Sequence, residues 1–365
     1  MKIAQIAPLY ESVPPKLYGG TERVVSYLTE ELIRQGHEVT LFATGDSNTS
    51  ARLVSHIDEA LRLNPGIQDP IAHHIIQMQD VMERAEEFDI LHFHNDYLHF
   101  PFSATLGKPC ITTLHGRLDL PDLQYVYNKF KDRPLVSISD SQRKPLKDVC
   151  WAGTVYHGLP LDLYNKGEGK GDYVAFIGRI SPEKRPDRAI EIARKAGIKI
   201  KMAAKIDKAD QPYYQKHIRK LMDQPHVEFI GEIGEAQKGE FLGNAKALLF
   251  PIDWPEPFGM VMIEAMACGT PVIAFNNGSV PEIIDHGESG FVVNTIGQAV
   301  KALNKIDLLD RKLVRKTFEN RFSAGIMAES YLHLFERMIP TKRRRIYMST
   351  EMEKILNAYK TKQAS

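Results

Sequence analysis

Short apolar runs alternate with amphipathic stretches along almost the whole chain. In the first half the runs are 3–7, 38–42, 90–93, 110–114, 135–138 and 154–156. In the second they are 173–177, 198–203, 227–230, 247–250, 272–275 and 291–293. Runs of this length, rich in Val, Ile and Phe and bounded by turn residues, read as buried strands. The stretches between them have helical spacing. In KLYGGTERVVSYLTEELIRQGHEV the residues Val24, Val25, Leu28, Leu32 and Ile33 form one stripe, Thr21 stands as its N-cap and Gly36 ends it. Strand and helix in alternation predict an α/β fold with parallel sheets, and about six strands in each half predict two doubly wound, Rossmann-like domains rather than one barrel. The segment 157–172, with Gly158, Pro160, Gly167, Gly169 and Gly171, reads as a linker or hinge. Near the end, Met348, Met352, Ile355, Leu356 and Tyr359 share a helical face. The predicted division is 1–160, 161–335 and a terminal helical segment 336–365.

Composition adds limits. With 365 residues, 43% hydrophobic and 25% charged, the chain has the make-up of a soluble globular protein of two ordinary domains. Its net charge of +1 gives no general affinity for nucleic acid. The tail 341–365 differs, with seven Lys/Arg against Glu351 and Glu353, a net of +5. It reads first as a solvated helix face and second as a peripheral contact for anionic lipid. Cys110, Cys150 and Cys268 are few and scattered, which points to a reducing cytoplasm without a disulfide framework. The opening MKIAQIAPLY reads as a strand, not a signal peptide, and no run has transmembrane length.

The chemistry concentrates in PIDWPEPFGMVMIEAMACGTPVIA, residues 251–274. Pro251, Pro255 and Pro257 forbid helix after the strand 247–250, a helix is predicted over 259–267, and Gly269 and Pro271 lead into the next strand. Glu256 therefore stands on a loop at the carboxyl end of a strand, with Glu264 on the helix that follows. Free amides of Phe258, Gly259 and Met260 lie between them. Ligands of open α/β sheets bind at this edge, and helix N-termini favour anions. Two acids flanking free amides suit a ligand with hydroxyls at both ends and phosphate in the middle, as in a sugar nucleotide.

This block resembles the E-x7-E motif of glycosyltransferase family 4, the retaining GT-B enzymes, and the resemblance runs from residue 3 to about 335. It implies two Rossmann-like domains facing each other across a hinged cleft, with acceptor on the first and donor on the second. It also implies that the last helix crosses back onto the first domain. Other segments carry the likeness. Gly19 and Gly20, before a helix N-terminus, match a pair near the donor diphosphate. GRISPEKRPD matches a G-R…E-K-G-x-D segment, with Arg185-Pro186 in place of the usual glycine, and implies that Arg179 and Lys184 neutralise the leaving diphosphate. His115 matches a histidine near the donor sugar. Gly231 and Ile233 match the segment whose backbone holds the base. Gly278, Pro281 and Glu282 match positions of a G-G-x-P-E segment, and YHGLP matches a P-N-G hinge with His157 for asparagine.

The histidines His92, His94 and His99 have a spacing open to metal binding, but no ligand set accompanies them, and the chain has no D-x-D. No metal and no cofactor are predicted beyond the nucleotide-diphosphate sugar as donor substrate. The reading is a retaining, metal-independent hexosyltransferase. Glu256 holds sugar hydroxyls, Glu264 holds the ribose, and Arg179 and Lys184 stabilise the departing diphosphate. Its partners are a nucleotide sugar and an acceptor, with no nucleic acid. Within enzymes the alternatives are a non-hydrolysing sugar-nucleotide epimerase or a glycosyl phosphorylase; outside them, a non-catalytic two-domain sugar-binding protein.

Overall fold

The computed structural model describes residues 1–16 and 19–340. The basic tail and the apolar stripe from Met348 to Tyr359 lie outside the described residues, as does most of the predicted segment 336–365. Two all-parallel sheets form. The first contains β1 (Lys2–Ile6), β2 (Glu38–Phe42), β3 (Arg52–Val54), β4 (Ile90–Phe93), β5 (Cys110–Thr113), β6 (Leu135–Ser137) and β7 (Trp151–Thr154), in the order β3-β2-β1-β4-β5-β6-β7. The second contains β8 (Tyr173–Arg179), β9 (Lys199–Lys205), β10 (Val227–Gly231), β11 (Leu248–Phe250), β12 (Val272–Phe275) and β13 (Gly290–Val293), in the order β10-β9-β8-β11-β12-β13. Each order reverses once, between β1 and β4 and between β8 and β11. A crevice opens at such a reversal because the helices on its two sides lie on opposite faces of the sheet.

In the first half three local expectations differ from what is found. An additional edge strand, Arg52–Val54, joins the first sheet; three half-exposed residues leave no apolar run to detect. The last strand of that sheet is Trp151–Thr154 and not 154–156, because a register shift after Leu135 pairs earlier residues with β6. Gly19, not Thr21, caps the helix Gly20–Arg34, so Thr21 falls inside the first turn.

The first half is completed from the far end of the chain. Helix Ala324–Met338 packs Met327, Tyr331, Leu334 and Phe335 into one core with Ile3, Val24, Ile90, Ile111 and Val136. The Tyr331 hydroxyl hydrogen-bonds to the Thr113 hydroxyl at 2.9 Å, so the helix is positioned by a polar contact as well as by packing. The segment 157–172 connects the halves and is packed, not loose. Its Gly167 backbone lies against Gly243, where an added Cβ would come within 2.2 Å of the Gly243 carbonyl oxygen. Arg311 ties the same place down by donating to the carbonyls of Gly167 at 3.2 Å and Gly243 at 3.0 Å. The outgoing and returning chains run side by side. The Leu159 amide donates to the Phe322 carbonyl at 2.9 Å, and the Ala324 amide donates to the Leu159 carbonyl at 2.8 Å.

Candidate functional site

A cavity of about 770 Å³ opens between the carboxyl ends of the two sheets. That volume is in the range of small-molecule and cofactor sites. From the first half Gly19, Gly20 and His115 line it. From the second come Arg179, Lys184, Ile233 and the stretch Glu256–Met260, with Glu264 behind. Of the predicted site residues, only Gly231 lies off the wall; Glu232 takes its place beside Ile233.

The Glu256 loop is held from several directions. The Ser279 amide donates to the Glu256 carbonyl at 2.9 Å, and the Ser279 hydroxyl donates to the Phe258 carbonyl at 2.8 Å. The Asn277 side chain donates to the Ile252 carbonyl at 3.0 Å. Gly278 has φ +59, and a Cβ there would come within 2.3 Å of the Glu256 backbone, so only glycine fits. From the first half, the Ser139 hydroxyl donates to the Pro257 carbonyl at 2.6 Å. The Glu282 carboxylate accepts from the amides of Asp140 and Ser141, both at 2.7 Å. The helix begins at Met260 with Gly259 as its N-cap, one residue later than predicted.

Glu256 and Glu264 each have a lysine partner. Glu256 is 8% exposed and pairs with Lys184, whose ammonium also lies 5.3 Å from the centre of the Trp254 ring. The Trp254 indole N–H donates to the same Glu256 oxygen at 3.0 Å. Glu264 accepts from Lys238 at 2.9 Å. Lys238 also lies 3.6 Å from Glu235, which pairs with Arg23 of the first half at 2.5 Å. A chain of alternating charges therefore crosses the cleft. Arg179 is surrounded by Glu183 at 2.5 Å, Asp210 at 3.6 Å and Asp207 at 3.9 Å. Arg185, where the family pattern has glycine, adopts φ +52. Its forked contacts to Asp187 and a 2.7 Å contact to Asp253 hold that strained conformation.

His115 belongs to a buried histidine cluster. With the Gln5 side-chain oxygen accepting from His94 Nε2 at 2.7 Å, His94 Nδ1 is left to accept from His115 Nε2 at 2.9 Å. His115 Nδ1 is then a lone pair with no protein partner. The His157 ring stacks on His115, with centroids 5.2 Å apart, and its other side meets Phe258. Burial pushes His115 down to about 3, and burial first, then neighbouring histidines, hold His92, His94 and His157 well below 6.5. The cluster is neutral in ordinary buffers. His92 Nε2 bonds to Thr113, the two His94 nitrogens bond to Gln5 and His115, and His92 Nδ1 is buried without a partner; among the described residues no three His, Cys, Asp or Glu are grouped to hold a metal.

Several wall residues escape sequence reasoning. Glu22, one turn into the first helix, is buried, and loss of solvent pushes its carboxyl up to about 7. Lys238, Arg23 and His94 reach the cavity through tertiary packing alone. Trp254 and His157 stand within PIDWPEPFG and YHGLP, so their neighbours are the available signal.

Known proteins carry the same sequence organisation. The family model described as Glycosyltransferase Family 4 matches residues 18–144, and the one described as Glycosyl transferases group 1 matches residues 165–320. The chain belongs to glycosyltransferase family 4. This family-4 enzyme is similar to the spore coat protein SA of Bacillus subtilis, with 25% identity over 92% of this chain and 100% of that protein. It is also similar to the phosphatidyl-myo-inositol mannosyltransferase of Mycobacterium leprae, with 23% identity over 92% of this chain and 96% of that one. Among solved structures it superposes on AviGT4, a glycosyltransferase involved in avilamycin A biosynthesis, with TM-score 0.70, 23% identity and coverage of 93% and 98%. It superposes likewise on HepE of Anabaena in complex with UDP and glucose, with TM-score 0.68, 18% identity and coverage of 92% and 99%. These are likenesses of fold. The family-4 chain is an enzyme, a hexosyltransferase, with the two-domain α/β architecture of GT-B proteins.

Proposed function

We propose that this family-4 enzyme moves a hexose from a nucleotide-diphosphate sugar to an acceptor with retention at the sugar carbon and without a metal. The observation that carries the reading is the Lys184–Glu256 pair on the wall of a cavity that also holds Arg179 and the Lys238–Glu264 pair. Glu264 holds the ribose hydroxyls, and Lys238 yields its place to them. The diphosphate displaces carboxylates from Arg179 and Lys184, and both cations then face the oxygens that gain charge as the bond from sugar carbon to phosphate oxygen breaks. Glu256 and the amides of Phe258–Met260 orient the sugar, with His115 on the cavity wall beside it. The acceptor oxygen attacks from the face the diphosphate leaves, and its proton passes to the departing phosphate oxygen. Under this reading the protein works in the cytoplasm.

The test is a panel of UDP-, GDP-, ADP- and dTDP-sugars, with and without EDTA, followed by nucleoside diphosphate release. The UDP complex of the Anabaena neighbour makes uridine donors the first to try. Selective release insensitive to EDTA is expected. Glu256→Gln should lower turnover by about a hundredfold or more, the scale of losing a placed electrostatic contact, with the circular dichroism unchanged. Turnover near that of the wild type would remove Glu256 from its role.

A further inference from the structure

Helix Pro70–Glu83 is turned the wrong way for an ordinary surface helix. Its buried face includes His74 and Gln77 alongside Met78 and Val81, while Ile71, Ile75 and Ile76 are 57, 44 and 47% exposed. The orientation is fixed by polar contacts. The Leu9 amide donates to His74 Nε2 at 3.2 Å, and the Gln77 side chain donates to the carbonyls of Ala7 at 3.0 Å and Phe42 at 3.2 Å. Burying polar groups and exposing β-branched apolar ones gains nothing from folding alone.

The exposed isoleucines are part of a longer strip. Leu63 and Tyr10 are 39 and 40% exposed, and between residues 63 and 79 the only Asp, Glu, Lys or Arg is Asp69. Its carboxylate is spent on the helix N-terminus, accepting from Ile71 at 2.9 Å and Ala72 at 3.4 Å. The strip is continuous with the cleft. The Tyr10 ring lies 5.0 Å from His74, and Tyr10, Arg62, Ile71 and His74 all line the cavity on the first-half side. Arg62 stands at the join, paired to Glu11 at 2.8 Å with its side chain half open to solvent.

We propose that the acceptor is lipid-linked. Its hydrocarbon portion, in a membrane surface, is covered by the strip from Leu63 to Ile76, and its polar head enters the cleft past Tyr10. An anionic group joining the two parts meets Arg62. This rests on the sugar-transfer reading of the cleft and adds to it the class of acceptor. An apolar strip of this kind holds to a bilayer through buried area, so its binding survives salt and does not need anionic lipid.

The full-length protein is sedimented with phosphatidylcholine vesicles in about 0.5 M NaCl, where charge attraction is screened within a few ångströms. Wild type is compared with Ile75→Gln/Ile76→Gln, which alters the strip outside the cavity wall. The expected result is that wild type sediments and the double variant loses about tenfold or more in partition, with an unchanged thermal melt. The proposal is overturned if wild type stays in the supernatant or if the variant sediments equally. It is also overturned if the strip proves to be a self-association face, seen as a wild-type dimer in light scattering that the variant abolishes. Thermal stabilisation by UDP, GDP, ADP and dTDP, measured on the same two proteins, reports on the cleft alone. If none of them stabilises wild type, the donor reading fails; if one does without vesicle binding, only the acceptor proposal fails.

Discussion

Glu22 shows what a single buried carboxyl does to this protein. Its folded pKa of about 7 stands above the ordinary 4.5, with burial the largest cause. The folded state therefore binds the proton more tightly than the unfolded one. The resulting stability is fully present below about 4.5 and is lost as pH rises through about 7. Glu22→Gln is expected to melt higher than wild type at pH 8, by up to about 3 kcal/mol, with the two converging near pH 4. Equal melting curves at both ends would show that the backbone hydrogen bonds from Glu22 and Glu11 offset the burial of the carboxyl. Gly278 acts through space, not charge. Gly278→Ala is expected to cost about 1–3 kcal/mol in urea unfolding and to lower activity further than stability, because the added carbon pushes on the Glu256 backbone. A variant equally stable and active would mean that the loop can give way.

At the level of elements, most of the architecture is legible in the chain. Continuous apolar runs such as Val272–Phe275 are buried on both faces, which is what a parallel strand requires. The edge strand Arg52–Val54 is not legible, since an edge needs no such run. Glu256 and Glu264 stand out because prolines and glycines punctuate the chain around them. Lys238, Arg23 and the hydrogen bonds that join Gln5, His94 and His115 do not, because the partners lie on different elements and no local pattern brings them together. The helix Ala324–Met338 looks like any amphipathic helix, and nothing in its own spacing names the sheet it joins. Phe335→Ala is expected to cost about 3–5 kcal/mol, and Tyr331→Phe about 1 kcal/mol through the lost bond to Thr113. Urea unfolding followed by tryptophan fluorescence measures both, and a negligible loss in Phe335→Ala would mean that the helix adds little to the first core.

At the level of the whole molecule, the two lobes touch through charge. Arg23 reaches Glu235 across the cleft, and the Arg117 guanidinium lies 5.9 Å from the Trp254 ring centre. Glu235→Gln is expected to widen the cleft, read as a larger radius of gyration in small-angle scattering. An unchanged profile would show that other contacts set the opening. Donor binding should act in the opposite direction, since a ligand held by both lobes stabilises the closed arrangement through its affinity.

The paired passage of the chain between the lobes governs what such opening can look like. A single strand of backbone would let one lobe swing, twist and roll against the other. Here Leu159 lies clamped between Phe322 and Ala324, so the lobes are joined along a line and not at a point. Two parallel tethers bend together about that line like the two leaves of a door, whereas twisting would have to stretch one tether against the other. The enzyme is thereby left with one easy motion, the one that brings the wall of Lys184 and Glu256 toward that of Gly19 and His115.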